Sequence, residues 1–521
     1  MLTVILGNPS VPTTRFDDRR VTATKYGSRA PIKSSCRSRS WTVTSIVAPF
    51  PAVWLVAILA VPARALGLPT SEPESSITEA TIGGGPAGSA IPGDTASGVD
   101  SDDAETPTSI EIGHTQMSGS FEHRPIAGLL QESSLVGIRD TSFAVQFRSY
   151  YLDQDNFNHS QSEAWTAGGL AGFKTGYFEN VFAFGATGYT SQPINAPAST
   201  EGAPILAPGQ KAYTVMGELY GEFKITDEIL ATVGHRGFDT PFINTQDGLM
   251  TPYTFLVYGV QGEIGSADDR KINFGAAYVD KIKERTSEEF ESMATAMGAP
   301  AGVDRGVYVA GANLKAGRLS VGATEYYSAD IINIAYTEIT YTIPLVDRVR
   351  LSLNAQYTDQ RSVGQNLLTG YSFAGDQYGL KADLAIGPAL LTVARSGTAV
   401  GTINNSSFTS LRNPWGGYPG YTGLLVENFY RAGENATMLR AAYNFPRVTG
   451  LSMYAAWVHG STPSVINQYA QQEYDGYVQW SARSGELKGL KLVSRYAHVS
   501  QQGPANQHLD EVRFILYYEW R

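Results

Sequence analysis

The feature that most constrains this chain is a two-residue alternation, clearest in its last stretch, Glu511 to Trp520. One side of that stretch carries Val512, Phe514, Leu516, Tyr518 and Trp520, and the other carries Arg513, Ile515, Tyr517 and Glu519. A period of two indicates a β-strand whose two faces meet different surroundings. An apolar face that ends in two aromatic residues fits a soluble β-sandwich, and it equally fits the closing strand of a membrane barrel.

The same pattern recurs from about Ser134 to the end of the chain, in segments of about ten residues separated by turns or polar loops. Clear examples begin at Thr141, Lys271, Val349, Thr437, Tyr474 and Gly489. Their apolar faces end in Tyr, Trp or Phe, as an interfacial girdle requires, and their other faces hold Arg, Lys, Asn, Gln and Ser. A closed barrel leaves no unpaired sheet edge in lipid. We therefore predict an all-β fold, a transmembrane antiparallel β-barrel over residues 131–521.

Composition supports this class of fold. Charged residues make up 17% of the 521 residues, and there are 54 glycines, 29 tyrosines and 21 phenylalanines. Soluble domains usually carry about 25% charged residues. The net charge of −10 argues against a nucleic-acid partner. The only cysteine, Cys36, permits no intrachain disulfide and no thiolate metal cluster. One stretch, Asp280 to Met297, is the exception to the strand pattern, and we expect a solvated loop helix there.

The front of the chain is typical of export. Residues 1–65 contain a basic flank, an apolar run from Ser45 to Val61 and the small-residue site Ala63-Arg64-Ala65, which predict a signal with an unusually long N-terminal region. A single membrane anchor is the alternative, but the run is shorter than the ~20 residues that a span needs. Residues 66–130 are rich in Ser, Thr, Gly, Pro and acids and predict a low-complexity linker.

The sequence gives little support for an enzyme or for a bound cofactor. Gly83, Gly85 and Gly88 have the spacing of a dinucleotide-binding turn, yet no buried strand precedes them and Pro92 and Gly93 break any following helix. The sequence contains no metalloprotease, nucleophile-elbow or phosphate-loop motif. We predict no enzyme activity, no catalytic residues, no metal and no cofactor.

Several stretches together resemble the OprD-type family of substrate-selective outer-membrane porins. They are AVQFRSYYLDQDN, EAWTAGGLAGFKTGYFENVFAFGATGY, NPWGGYPGYTGLLVENFYRAGENATMLRAAYNF and LKGLKLVSRYAHV with the closing DEVRFILYYEW. The resemblance implies about 18 strands and a long loop folded inward to form an acidic constriction opposite a ladder of basic side chains. Gly234 to Ile264 looks like this inward loop, and Asp247, Pro252 and Phe255 match the family pattern there. Asp239 is a second candidate acid of the constriction, because it lies close to them in the sequence. The chain departs from the family pattern in its long front extension and in ending on Arg521 after Trp520.

Strand alternation proposes the basic ladder. It assigns to the lumen face Arg148, Arg350, Arg440, Arg483, Lys491, Arg495 and Arg513. A guanidinium that faces lipid near the midplane costs about 2–4 kcal/mol, so the lumen is the cheaper side. A row of such groups can pass a carboxylate along by successive weak contacts. The alternative is that some of these side chains form local ion pairs and never meet a solute.

The predicted function is passive, selective diffusion of small carboxylates, amino acids or small peptides across the outer membrane of a Gram-negative bacterium. The predicted partners are these solutes, outer-membrane lipid and the barrel-assembly machinery, with the chain a monomer or a homotrimer. Two other hypotheses stay open. A structural or adhesive barrel plugged by its loops would not conduct, and a secreted β-sandwich would dissolve without detergent. A 22-stranded receptor with a folded plug needs more chain than is present.

Overall fold

In the computed structural model, residues 124–125, 133, 135–265, 270–404, 406–407, 410–463, 468–503 and 506–520 are described. These residues form eighteen long antiparallel strands. In chain order, β1 to β9 are Ser142–Asp155, Gln161–Lys174, Phe182–Asn195, Tyr213–Lys224, Ile229–Arg236, Thr254–Gly265, Arg270–Lys283, Val307–Ala316 and Leu319–Ser328. Strands β10 to β18 are Ile332–Val346, Val349–Arg361, Phe373–Ile386, Ala389–Thr398, Asn435–Asn444, Leu451–Ser461, Ala470–Ser481, Leu490–Gln502 and Gln507–Trp520.

Each strand pairs with its sequence neighbour, and β18 pairs with β1 to close the barrel. The closing register runs from Val145 opposite Trp520 to Asp155 opposite Asp510. Closure satisfies the backbone groups of both terminal strands, as a lipid environment demands. The predicted fold class is confirmed, and the stretch from Glu511 to Trp520 is the closing strand.

The two faces of β18 lie as the alternation predicted. Phe514 and Trp520 point outward with 53% and 72% of their surface exposed, while Ile515 and Tyr517 are buried on the inner face. Outward tyrosines also lie side by side near one end of β6 to β9, at Tyr258, Tyr278, Tyr308 and Tyr327. Such a row of amphipathic rings is the girdle expected at a membrane interface.

The two ends of the barrel differ in the length of their connections. Residues 317–318, 347–348 and 387–388 are two-residue turns at the end where β1 begins, which we call the turn end. The opposite end, the loop end, carries the connections 196–212, 237–253, 284–306 and 399–434. Bacterial barrels keep short turns on the periplasmic side and long loops on the outside. The loop end is therefore the extracellular end.

Short elements decorate this framework. Among the described residues they are the helices Val136–Arg139 and Met293–Ala296, the 3-10 turn Ala198–Thr200, and the two- or three-residue strands Arg124–Pro125, Phe290–Ser292, Thr402–Ile403 and Ser406–Ser407. The expected helix over Asp280 to Met297 was wrong: β7 continues to Lys283, where it pairs with Thr254, and only Met293–Ala296 is helical. No helix in the described ranges is long and apolar enough to cross a membrane.

Of the front part of the chain, the structure describes only two residues that contact the barrel. Arg124 and Pro125 pair with Phe143 and Ser142 at the start of β1. The predicted export signal, most of the predicted linker and the glycine motif at Gly83 to Gly88 lie outside the described residues.

Apolar packing extends into the lumen. One buried cluster joins inner-face residues of β1, β2 and β13 to β18 with three loop segments, represented by Ile205, Leu249 and Phe429. A second joins β6 to β10 with Phe242 and Trp415. Three long loops therefore fold into the barrel and pack against its wall.

Candidate functional site

The 237–253 loop follows β5 and turns into the lumen. Inside it, the Asp239 carboxylate accepts hydrogen bonds from the amide and the hydroxyl of Thr245, both at 2.8 Å. An aspartate that binds a backbone amide a few residues ahead stabilises a compact turn. Phe242 and Ile243 are fully buried in the lumen. Asp239 thus braces the inward loop from within.

A buried ion pair fixes this loop to the wall. Both terminal nitrogens of Arg148 on β1 contact the two carboxylate oxygens of Asp247 at 2.5 Å, and both side chains are almost completely buried. The same guanidinium also donates to the carbonyls of Leu249 and Met250 and to the Gln146 side chain. Bidentate pairs of this kind fix geometry as well as charge. Arg148 therefore anchors the loop rather than facing an open path.

The other two residues proposed for this loop lie at its end. Pro252 is buried just before β6, and Phe255 is the second residue of that strand rather than part of the loop. Phe255 packs in the same apolar cluster as Phe242 and Ile243. The segment proposed for the inward loop, Gly234 to Ile264, thus also includes the end of β5 and nearly all of β6, whose first residue, Thr254, pairs with Lys283.

A second loop, 399–434, meets the first inside the barrel. Trp415 is fully buried, and its indole Nε1 donates to the carbonyl of Met293 at 3.0 Å. The Asn244 amide donates to the Trp415 carbonyl at 3.3 Å. Gly416 is required at this contact, because its φ is +85° and a Cβ there would lie 2.9 Å from the Asn244 carbonyl oxygen.

Carboxylates attach the 399–434 loop to the wall. The two oxygens of Glu473 on β16 accept the amides of Val426 and Glu427 at 2.8 Å, and Asp475 accepts the amide of Leu425 at 3.0 Å. Across the barrel, the Tyr421 hydroxyl donates to Glu338 at 2.6 Å. This loop is therefore held through neutral donors and acidic acceptors.

Two residues of the predicted ladder present nitrogen atoms without partners. The Nε atoms of Arg440 on β14 and Arg495 on β17 are buried and have no hydrogen-bond partner among the described residues. The Arg495 guanidinium lies 5.2 Å above the ring of Tyr477, which stacks on Tyr454. Orphaned buried donors are uncommon in folded proteins. These two arginines are therefore the best placed to accept a polar ligand.

Arg513 is placed differently, although it lies directly across the strand pair from Arg495. Its Nε donates to Glu511 at 2.5 Å, and its NH1 donates to the Tyr150 hydroxyl at 3.3 Å. A carboxylate two residues along the same face partly neutralises it. Arg513 thus contributes a paired charge to the wall.

The three remaining ladder residues lie towards the turn end. Arg350 and Lys491 are each the second residue of their strands, and the Lys491 amine lies 5.7 Å from the ring of Tyr517. The lumen assignment was wrong for Arg483: it is exposed in the turn after Ser481, the last residue of β16. Strand alternation assigns no face to a residue beyond the strand.

Several lumen groups were missed. Glu222 pairs with Lys174 at 2.7 Å and with Arg236 at 2.9 Å, and Lys381 lies 3.5 Å from Asp383 and 4.6 Å from the ring of Tyr421. All lie on the polar face of their strands, so alternation could have found them. No group of His, Cys, Asp and Glu among the described residues is arranged to hold a metal ion.

Comparison with known proteins agrees with the barrel geometry. No curated protein matches the sequence. The barrel is similar to Acinetobacter baumannii OccAB2, with 20% identity, 74% of this chain and 99% of that chain covered, and a TM-score of 0.64. A BenF-like porin from Pseudomonas fluorescens Pf-5 has 16% identity, 73% and 98% coverage and a TM-score of 0.64. Pseudomonas aeruginosa OpdK, solved with vanillate, has 18% identity, 73% and 98% coverage and a TM-score of 0.61.

One family profile matches the barrel part of the sequence. The profile described as outer membrane porin, OprD family, matches residues 138–521, which covers every long strand of the barrel. Its members are channels for selective passive diffusion, and the family and the barrel together indicate an outer-membrane protein of a Gram-negative bacterium. The chain therefore belongs to the OprD family of outer membrane porins.

Proposed function

We propose that this porin passes small carboxylates and amino-acid-like solutes, which bind transiently to Arg440 and Arg495. The observation that carries the proposal is that the buried Nε atoms of both arginines lack partners among the described residues. Neither guanidinium is therefore held at Nε by an acceptor in the described part of the chain, and a solute carboxylate can bind a guanidinium in a bidentate contact. Such contacts must also be weak enough for release, as permeation requires.

The surroundings of these arginines support transient rather than tight binding. Asp475, whose Oδ1 atom has no hydrogen-bond partner in the described ranges, interacts electrostatically with Arg440 and Arg495. A solute carboxylate must compete with this fixed negative charge, which limits its residence time. The same oxygen offers an acceptor for a solute amine. Asp475 thereby takes the role first expected of Asp247, whose carboxylate is occupied by Arg148.

In this proposal, a solute that leaves Arg440 and Arg495 next meets positively charged residues towards the turn end. Lys491 and Arg350 lie near the periplasmic mouth, and the Lys491 amine lies 5.7 Å from the ring of Tyr517. Vanillate, with which OpdK was solved, is an aromatic carboxylate. An aromatic ring beside a cation suits such a solute, because the ring stacks while the carboxylate meets the charge.

The test is single-channel recording of Arg440→Ala and Arg495→Ala proteins with added benzoate. Each substitution removes a charge-assisted contact worth about 1.5 kcal/mol or more, so the benzoate concentration that half-interrupts the current should rise about tenfold or more. Arg483→Ala is the matched control, because that arginine is exposed in a turn, and it should leave the interruption unchanged. Equal responses in all three variants would contradict the proposed path.

A second hypothesis, a plugged structural barrel, draws support from one observation. Loop segments containing Ile205, Leu249 and Phe429 pack together in the lumen and bury apolar surface there. If these loops seal the barrel, the folded protein does not conduct in a bilayer. Discrete current steps from the purified protein would exclude this alternative.

A further inference from the structure

We propose that docking of the 399–434 loop is linked to proton uptake, so that acid holds the loop in the lumen more firmly and alkali loosens it. The proposal concerns how the loop is attached to the barrel wall. It does not require that a solute passes, and it therefore stands apart from the proposed transport function.

Several acidic residues lie close together where the 399–434 loop contacts the wall. Glu473 and Asp475 lie two residues apart on the inner face of β16, and the amide that binds one Glu473 oxygen belongs to another acid, Glu427. Glu434, at the end of the loop, accepts the Arg431 amide and the Gln471 side chain, each at 2.9 Å. The contact therefore holds two pairs of carboxylates, Glu473 with Asp475 on the wall and Glu427 with Glu434 on the loop.

Two of these acids are buried without a cation in contact with them among the residues that the structure describes. Glu473 and Glu434 are 0% exposed, and neither forms an ion pair within the described part of the chain. On the neighbouring strands, the residues paired with Glu473 are Val458 and Val499. Gly460 on β15 leaves room for the Glu434 carboxylate, since a Cβ there would be 2.3 Å from its Oε1. Burying a charge in such surroundings is costly unless it takes a proton.

The charged and titratable groups that face this contact come from every element around it. From the wall they are Arg440 on β14, Tyr454 on β15, Tyr477 on β16, Arg495 on β17, and Glu511 and Arg513 on β18. From the loop they are Tyr418, Glu427, Tyr430 and Arg431, and from the connection before β16 there is Tyr469. The wall arginines face Asp475, and Arg431 approaches Glu427 at 3.7 Å from a partly exposed position. Glu473 and Glu434 are left with the least compensation.

The sign of the linkage follows from burial. Burial raises the pKa of the loop carboxyls Glu427 and Glu434, more than the hydrogen bonds to them lower it. A carboxyl with a higher pKa in the docked loop than in free solution binds its proton more tightly when docked. Protonation therefore favours the docked state, and this gain is lost as the pH rises through the raised pKa.

The 237–253 loop supplies an internal control. Its anchoring acid, Asp247, is paired in both oxygens with Arg148. An arginine stays charged throughout the accessible pH range. Residues 248–253, which lie beside this anchor, should therefore be the part of the loop that responds least to pH, whereas Gly237 at its start donates to the buried Glu218.

The experiment is hydrogen–deuterium exchange of the full chain in detergent micelles, between about pH 5 and about pH 8, corrected for the intrinsic pH dependence of exchange. Protection of the amides of Leu425, Val426 and Glu427 should rise as the pH falls, approaching about tenfold per pH unit for each proton taken up. Protection in residues 248–253 should stay constant. Protection of 425–427 that is constant or falls in acid overturns the proposal.

Two matched variants locate the proton. Glu427→Gln keeps an oxygen that can accept from the Gln501 side chain but has no carboxyl to titrate, so the pH slope of protection should flatten. Glu338→Gln changes a wall carboxylate that meets the same loop through Tyr421, and it should keep the slope of the native protein. A full slope in Glu427→Gln contradicts the role of that residue. The measurement on the native chain decides the linkage itself, even if a variant fails to fold.

Discussion

The two inward loops reach the same lumen but are held there by opposite means. In the 237–253 loop, a wall arginine binds a loop acid, and the buried charges of Arg148 and Asp247 cancel. In the 399–434 loop, wall acids accept loop amides, and the charges of Glu473 and Asp475 are only partly compensated. From this difference we expect the 237–253 loop to stay fixed to the wall, and the attachment of the 399–434 loop to depend on protonation.

This comparison also divides the predicted basic ladder by role. Arg148 serves the fixed loop, and Arg513 is paired with Glu511. Arg440 and Arg495 lie beside Asp475, one of the acids that hold the second loop, and their Nε atoms have no partner in the part of the chain that the structure describes. The arginines proposed to meet solute are thus next to the loop whose docking we expect to vary.

The largest effect should come from breaking the fixed anchor. Arg148→Ala leaves the Asp247 charge buried and unpaired, so we expect a loss of about 3–5 kcal/mol in the free energy of unfolding. Limited proteolysis should then cut within residues 237–253, and the folded band in a heat-modifiability gel should be lost at a lower temperature. The double variant Arg148→Met with Asp247→Leu removes both charges and should recover most of the loss. A protease-resistant Arg148→Ala protein of native stability would break the comparison.

A smaller effect should come from a single anchor of the second loop. Tyr421→Phe removes the hydroxyl that donates to Glu338, which keeps its contact with Tyr336 at 3.2 Å. We expect a loss of about 1–2 kcal/mol, measured by urea unfolding in lipid vesicles. Tyr341→Phe on the same β10 strand is the control, since Tyr341 is exposed on the outer face. Equal losses in both variants would show that the Glu338 contact does not hold the loop.

Alternation was sufficient to predict the strands and their two faces, and the aromatic ends of the apolar faces favoured a membrane barrel over a sandwich. It correctly placed Phe514 on the outer face and Tyr517 on the inner face of β18. It failed for Arg483, which lies beyond a strand end, and for the helix expected from Asp280, where pairing with β6 extends the strand to Lys283.

Alternation could not predict the division of roles among the ladder residues. It assigns a face to Arg148, but the pairing with Asp247 depends on a loop that returns 99 residues later. The inward path of the 399–434 loop had one signal in the sequence, the aromatic run around Trp415 and Tyr418. Both residues are buried in the lumen, and the Tyr418 hydroxyl donates to Gln377 at 2.6 Å. Which carboxylates hold that loop follows only from the three-dimensional contacts.

The most direct test of a selective channel is single-channel conductance of the native protein in a planar bilayer with increasing benzoate. We expect discrete current steps that benzoate interrupts in a concentration-dependent manner, because the carboxylate binds at Arg440 and Arg495 before release. A folded, heat-modifiable barrel that stays silent would contradict transport and favour the plugged structural barrel. Steps that benzoate leaves unchanged would contradict the carboxylate path.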